Sequence, residues 1–204
     1  MINPVYEREQ VLRHRLNRFF VDCLSMPEHD YYGQINAASL LKLKSALSDI
    51  NNILTLRVTL AFADWIAEKL SLDDRYVIEL RDSVLSAKPS SNGYDIRLDY
   101  PVSFVGEVKC NVPINNGVVY GSAQRTGIEK DITALLNGKT KANIIPGNFL
   151  KFMAFLDMPE IRQANAHLVR TSKICKEKLV FLDSADEISR VDVVHGVYLE
   201  PGHN

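Results

Sequence analysis

Hydrophobic residues in the first ninety positions recur every three or four residues, the spacing of helices that bury one face. In the first such segment, the residues that share a face are Val11, Leu12, Leu16, Phe19, Phe20 and Cys23. The pattern predicts four helices, over residues 6–24, 36–47, 52–70 and 71–86. Asn36 and Ser71 can cap two of these helices, and residues 26–34 are predicted to form a loop.

The pattern changes after the polar segment KPSSNG, residues 88–93, which breaks the helical spacing. Residues 94–98 alternate between polar and apolar side chains, and residues 103–112 are rich in Val and Phe. The segment DYP, residues 99–101, lies between them as a turn. Together they predict a β-hairpin.

The rest of the chain alternates between helical and strand patterns. Thr126 and Glu129 form a T-x-x-E capping box, and Gly138 suits a C-terminal cap, so a helix is predicted between them. Pro159 is predicted to open a second helix that ends near residue 178. The strands predicted after the hairpin cover residues 150–156, 180–182 and 191–199.

This order of elements predicts an α/β (α+β) fold, a mixed β-sheet flanked by helices. A hairpin followed by a helix and a returning strand suggests a right-handed crossover. No segment other than KPSSNG resembles a linker, so the chain is predicted to be a single domain over residues 1–204. Within it, residues 1–70 form a helical N-terminal region and residues 71–204 form the core.

Composition narrows the class of protein only slightly. The 204 residues include 46% apolar and 24% charged side chains, which excludes intrinsic disorder. Lys and Arg number 24 against 25 Asp and Glu, a net charge of −1. This balance does not indicate a nucleic-acid-binding protein, but it does not exclude one, because acidic helices can offset a basic cleft.

Three observations predict a cytoplasmic protein without a membrane span or a zinc site. No apolar stretch reaches the roughly 18 residues of a spanning helix, and the polar N-terminus lacks an apolar signal core. Cys23, Cys110 and Cys175 lie far apart, as reduced thiols do. The five histidines include no HxH or HExxH pair.

Candidate chemistry lies on the predicted hairpin. Glu107 and Lys109 share one face of a strand, because side chains two residues apart point the same way. With a turn centred near Pro101, the numbers of facing residues add to about 202, which places Asp95 opposite Glu107 with their Cβ atoms about 5 Å apart. Two carboxylates this close need a positive charge, and a divalent metal ion is the natural one.

Such a site suits phosphodiester hydrolysis. A cation held by carboxylates can bind the anionic phosphate, lower the pKa of a water molecule and stabilise the leaving oxygen. Lys109 can position or help to deprotonate that water, or stabilise the developing charge.

The pattern Asp95-x11-Glu107-x-Lys109 resembles the PD-(D/E)xK nuclease superfamily, which includes many type II restriction endonucleases. The resemblance covers residues 71–157 and implies a restriction-endonuclease-like core. It departs from the family pattern at the residue before Asp95, which is Tyr94 instead of proline.

The resemblance implies a role for each matching residue. Asp95 and Glu107 would be metal ligands together with the backbone carbonyl of Val108, and Lys109 would be the catalytic lysine. Some members add an acidic residue from the preceding helix or a polar residue near the following one. The matching residues here are Glu79 and Gln124. The implied cofactor is Mg²⁺, with Mn²⁺ as the other ion that would serve.

The long segment of residues 111–127 and the helix after it carry residues suited to phosphate contacts. These candidate nucleic-acid-binding residues are Arg125, Lys130, Lys139 and Lys141. An equally good interpretation is that these residues are ordinary solvent-exposed charges without a binding role.

The sequence therefore predicts a metal-dependent endonuclease that acts on double-stranded DNA and is restriction-enzyme-like. The helical N-terminal region could form a homodimer or embrace DNA, and the sequence does not choose between them. Two alternatives stay open: a non-catalytic DNA-binding module with a nuclease-like fold, and a protein-interaction module. In the latter, Glu107 and Lys109 would be an exposed ion pair and Asp95 a turn residue.

Overall fold

The computed structural model describes residues 7–88, 93–114, 117–139, 142, 144–183 and 186–201. The chain divides into two compact units, Met1–Ile50 and Asn51–Asn204. The division lies inside one long helix, so the second half of that helix belongs to the unit that contains the sheet.

In the first unit, the secondary structure of the described residues is helical: α1 (Arg8–Leu24), α2 (Tyr31–Gln34) and the first part of α3 (Ala37–Lys69). The ring of Phe20 packs against Tyr31 with 4.8 Å between centroids. The Asp30 side chain caps α2 by accepting the N–H of Gly33 at 3.3 Å, so a short helix lies inside the segment predicted as a loop.

Helix α3 replaces the two helices that were predicted over residues 36–47 and 52–70. Asn36 does cap it, because its side chain accepts the N–H of Ser39 at 2.9 Å. Residues 48–51, which lie between the two predicted helices, include neither proline nor glycine and are exposed on the helix. Without either of these strong helix breakers, the helix continues through the segment.

The second unit is built on a five-stranded sheet with strand order β1-β2-β3-β5-β4. The strands are β1 (Ile96–Leu98), β2 (Phe104–Lys109), β3 (Leu150–Leu156), β4 (Leu179–Phe181) and β5 (Val194–Leu199). Strands β1 and β2 pair antiparallel, and the other neighbours pair parallel. The helices are the end of α3, then α4 (Asp74–Ser86), α5 (Ser122–Asn137), α6 (Pro159–Thr171) and α7 (Lys173–Lys178). The predicted α/β fold with a mixed sheet flanked by helices is confirmed.

Three predicted helix boundaries were wrong. Helix α5 begins at Ser122 instead of Thr126, since the Gln124 side chain accepts the N–H of Gly121 at 3.1 Å. Helix α4 begins at Asp74, and Ser71 has a left-handed backbone with φ of 50°. The predicted helix over residues 159–178 divides at Ser172, whose side chain accepts the N–H of Cys175 and caps α7.

The core lies on both faces of β3, all seven residues of which are buried. Within the second unit, Phe62 of α3 is fully buried and packs against Phe152 of β3, with 5.9 Å between ring centroids. Helix α3 approaches β2 closely at Gly106. A Cβ added there would lie 2.5 Å from a ring carbon of Phe62 and 2.7 Å from Ile96. The strand that carries Glu107 therefore needs glycine at this position.

Among the described residues, none of the helices combines the length and the apolar character needed to cross a bilayer.

We expect Gly106→Ala to lower the free energy of unfolding by about 1–3 kcal/mol, because the new methyl group overpacks a core that has no room to yield. Chemical denaturation measures this change. Gly127→Ala is the matched control: Gly127 lies inside α5 and nothing surrounds its added Cβ within 4 Å. This control should stabilise the protein by about 0.5–1 kcal/mol. Equal effects of both substitutions would show that the close approach at Gly106 does not matter.

Candidate active site

The β1–β2 hairpin has the register that the sequence predicted. Ile96 pairs with Gly106 and Leu98 with Phe104, so the numbers of each pair add to 202. Asp95 precedes β1 and is bonded to β2 on both sides of Glu107. Its N–H donates to the Gly106 carbonyl at 3.1 Å, and its Oδ2 accepts the Val108 N–H at 2.8 Å.

Glu107 is the buried acid of the site, only 5% exposed. Its Oε1 lies 2.5 Å from Nζ of Lys139, and its Oε2 lies 4.0 Å from Nζ of Lys109. Burial, and secondly the charge of Asp95, raise the pKa of Glu107 to about 7, although both lysines act in the opposite direction. Burial and Asp95 thus disfavour the negative charge of this carboxylate, and the two lysines compensate it in part.

The two lysines are anchored by different elements. Nζ of Lys109 forms an ion pair with Asp131 of α5. Lys139 follows the Gly138 cap of that helix, and its Nζ donates to the Gly93 carbonyl at 2.8 Å and lies 5.1 Å from the ring centre of Tyr94. We call the alternating set Lys139, Glu107, Lys109 and Asp131 the charged network.

Two members of the charged network have roles that the sequence interpretation missed. Asp131 received no role, and Lys139 was predicted to contact phosphate. A signal for Asp131 exists in the sequence. It lies three residues after Ile128 and four before Leu135, which are both buried, so it occupies the stripe of α5 that faces the core. No spacing rule predicts that Lys139 reaches Glu107, since the contact depends on how α5 packs on the sheet.

The remaining predicted metal and catalytic residues lie apart from the charged network or are already bonded. Glu79 is exposed on α4 and lines a groove of about 610 Å³ together with Asp95. Gln124 uses both ends of its side chain, accepting from Gly121 and donating to the Val112 carbonyl at 2.9 Å. Within the described part of the chain, no three His, Cys, Asp or Glu side chains converge as a metal site.

The predicted nucleic-acid-binding residues are dispersed. Arg125 pairs with Glu129 at 3.0 Å within α5, and Lys139 is directed to Glu107. Lys130 is exposed on α5 and forms no ion pair with the described residues. Lys141 lies outside the described residues. Asp99, in the turn that follows β1, is bound by Arg97 through two hydrogen bonds of 2.7 and 2.8 Å.

The charged network should give the protein a distinctive pH dependence. The pKa of Glu107 is about 7 in the folded protein and near 4.5 when exposed, so the folded state binds more protons between these pH values. The stability that Glu107 contributes is therefore fully present below pH 4.5 and is lost as the pH rises to 7. At about 1.4 kcal/mol per pKa unit, the loss is on the order of 3 kcal/mol.

We expect Glu107→Gln to remove this slope, so that the variant gains stability relative to the wild type as the pH rises from 4.5 to 7. Denaturant unfolding at several pH values measures the difference. Glu177→Gln, which removes an exposed carboxylate from α7, gives the reference slope. Parallel stability curves for the wild type and Glu107→Gln would contradict the assigned environment of Glu107.

Comparison of the chain with protein-family models, with curated proteins and with solved structures found no match in any of the three. The interpretation of the site therefore rests on its own residues and their contacts.

Proposed function

We propose that the chain is a metal-dependent nuclease that hydrolyses phosphodiester bonds of double-stranded DNA, with a restriction-endonuclease-like core. The observation that carries the proposal is the pair of hydrogen bonds by which Asp95 brackets Glu107 on β2, with Nζ of Lys109 4.0 Å from Glu107. An acid pair beside a lysine suits the hydrolysis of an anionic ester.

The donor set fits a hard divalent cation. Both side chains offer carboxylate oxygens, which Mg²⁺ and Mn²⁺ prefer. The charge of Asp95 and the burial of Glu107 both disfavour ionised Glu107, and a cation shared by the two would relieve both effects. When bound, the cation would neutralise charge on the scissile phosphate and lower the pKa of the attacking water.

The chain's own residues would position the reactants. Asp131 holds the ammonium of Lys109 by an ion pair, which restricts where it can lie. From there Lys109 can orient the attacking water or donate hydrogen bonds to the phosphate oxygens as negative charge develops. Asp131 is thus a positioning residue that acts through Lys109.

The groove beside Asp95 is the proposed approach for the substrate. Its lining includes two basic residues, Arg75 and Arg97, and three acids, Glu79, Asp95 and Asp99. Arg97 is already bound to Asp99, so Arg75 is the group proposed to meet a phosphate in this groove. Lys130 on α5 is a further exposed group for a phosphate contact.

The ammonium group of Lys139 would have to move away from the Glu107 carboxylate before a divalent cation could bind to that carboxylate. It is the present counter-ion of Glu107 and would keep its bond to the Gly93 carbonyl after releasing the carboxylate. Metal ion and ammonium therefore compete for one carboxylate.

A second candidate function is favoured by the same ion pair. Because Lys139 already compensates Glu107, and no third acid converges on the pair within the described residues, the charged network could serve stability alone. The chain would then be a non-catalytic DNA-binding or protein-interaction module with this fold.

We expect Lys139→Met to tighten the binding of Mn²⁺ by about tenfold, since removing the competing ammonium leaves Glu107 without its nearest counter-ion. Titration calorimetry measures the affinity, and Lys176→Met on an exposed part of α7 is the control. Unchanged or weaker Mn²⁺ binding would mean that Lys139 does not occupy the metal position.

We expect purified protein to cut plasmid DNA only when Mg²⁺ or Mn²⁺ is present. Lys109→Ala should lower the cleavage rate at least about a hundredfold, the scale of an acid–base or charge-stabilising group. Lys176→Ala should cut like the wild type.

The other results of the plasmid assay are equally informative. Failure to cut methylated and unmethylated plasmids at any metal concentration would favour the non-catalytic module. Full activity in Lys109→Ala would mean that the cutting comes from another site or from a contaminant.

A further inference from the structure

The described residues of the first unit, 7–50, include no buried side chain, although they carry many large apolar residues. On α3, Leu40 is 46% exposed, Leu47 51% and Ile50 55%. Soluble chains seldom leave a row of large apolar side chains in water without a partner. This unit therefore buries none of these side chains fully and presents an apolar surface.

The apolar residues of α3 form a regular seam. Leu40, Leu43, Leu47 and Ile50 follow one another at intervals of three, four and three residues. This is the a and d spacing of a coiled coil, which keeps the four side chains on one stripe of the helix. The next position of the repeat is Leu54, which packs in part against the core of the second unit. We call Leu40, Leu43, Leu47 and Ile50 the α3 seam.

We propose that the α3 seam is a homodimer interface, in which the α3 helices of two copies of this chain pair in parallel. A coiled-coil seam is self-complementary, because each a or d side chain fits between side chains of an identical partner helix. A second copy therefore supplies a matching surface. The proposal does not depend on the nuclease activity.

The charges also suit a second copy. Residues 7–50 carry six acidic and six basic side chains, counted as Asp and Glu against Lys and Arg, so two such units do not repel each other by net charge. A nucleic acid would instead favour a basic excess.

The residues beside the seam favour the parallel orientation. In a parallel pair, Lys44 at an e position faces Ser39 at a g position of the other helix, and Asn51 faces Ala46. An antiparallel pair aligned on the same four residues would bring the two Lys44 side chains together. That arrangement carries a like-charge cost that the parallel pair avoids.

The test compares two leucines of α3 that are both exposed. Leu47 belongs to the seam, whereas Leu41 is 67% exposed and lies off it, about 100° around the helix from Leu40. We expect the wild type to sediment as a dimer of the 23.0 kDa chain at concentrations of tens of micromolar or more. Leu47→Asp should weaken association at least about tenfold, and Leu41→Asp should leave it unchanged.

Orientation is tested with a Cys23→Ser, Leu43→Cys variant, from which the exposed native thiol is removed. Oxidation should link two copies through Cys at the same d position only if the helices are parallel. A wild type that stays monomeric at all concentrations would overturn the proposal. Equal loss of association in Leu41→Asp and Leu47→Asp would also overturn it, since it would indicate unspecific hydrophobic association.

Discussion

The ion pair between Glu107 and Lys139 is the interaction on which the charged network depends. A carboxylate buried in a strand is costly unless positive charge lies beside it. The chain meets this need twice, with Lys139 from the end of α5 and with Lys109 from the same strand. Asp131 then compensates Lys109, so that two elements are joined by alternating charges.

This arrangement is tied to the packing behind it. Strand β2 carries Glu107, and helix α3 packs closely against one face of this strand at Gly106, which has no side chain. From its edge, Asp95 fixes the strand by bonding Gly106 and Val108. Glu107 therefore lies within a strand, and Asp95, which precedes β1, is fixed to that strand by two hydrogen bonds. A site needs such support to keep its geometry when a ligand binds.

The hairpin could be predicted from the sequence because its determinants are local. Alternating residues define the two strands, and a short turn around Pro101 fixes their register, so Asp95 and Glu107 come together without knowledge of the remaining fold. The start of α5 could not be predicted in this way, because two capping signals lie close together in the sequence. The T-x-x-E pattern at Thr126 was read as a cap, whereas the Gln124 side chain caps the helix a turn earlier.

The ion-pair partners of Glu107 and Lys109 could not be predicted from neighbouring residues, for a different reason. Lys139 and Asp131 reach β2 only because α5 packs over it, and charged residues on a helix give no sign of which strand they will meet. Helix α3 was predicted as two helices, but residues 48–51 contain no proline or glycine that would end a helix, and α3 continues through them.

We propose that Asp95 and Glu107 share a divalent cation, and anomalous diffraction from crystals grown with Mn²⁺ tests this most directly. We expect one strong peak within about 2.2 Å of a carboxylate oxygen of each residue, with Nζ of Lys139 moved away from Glu107. A map without such a peak, in which Lys139 still pairs with Glu107 at saturating Mn²⁺, would contradict it.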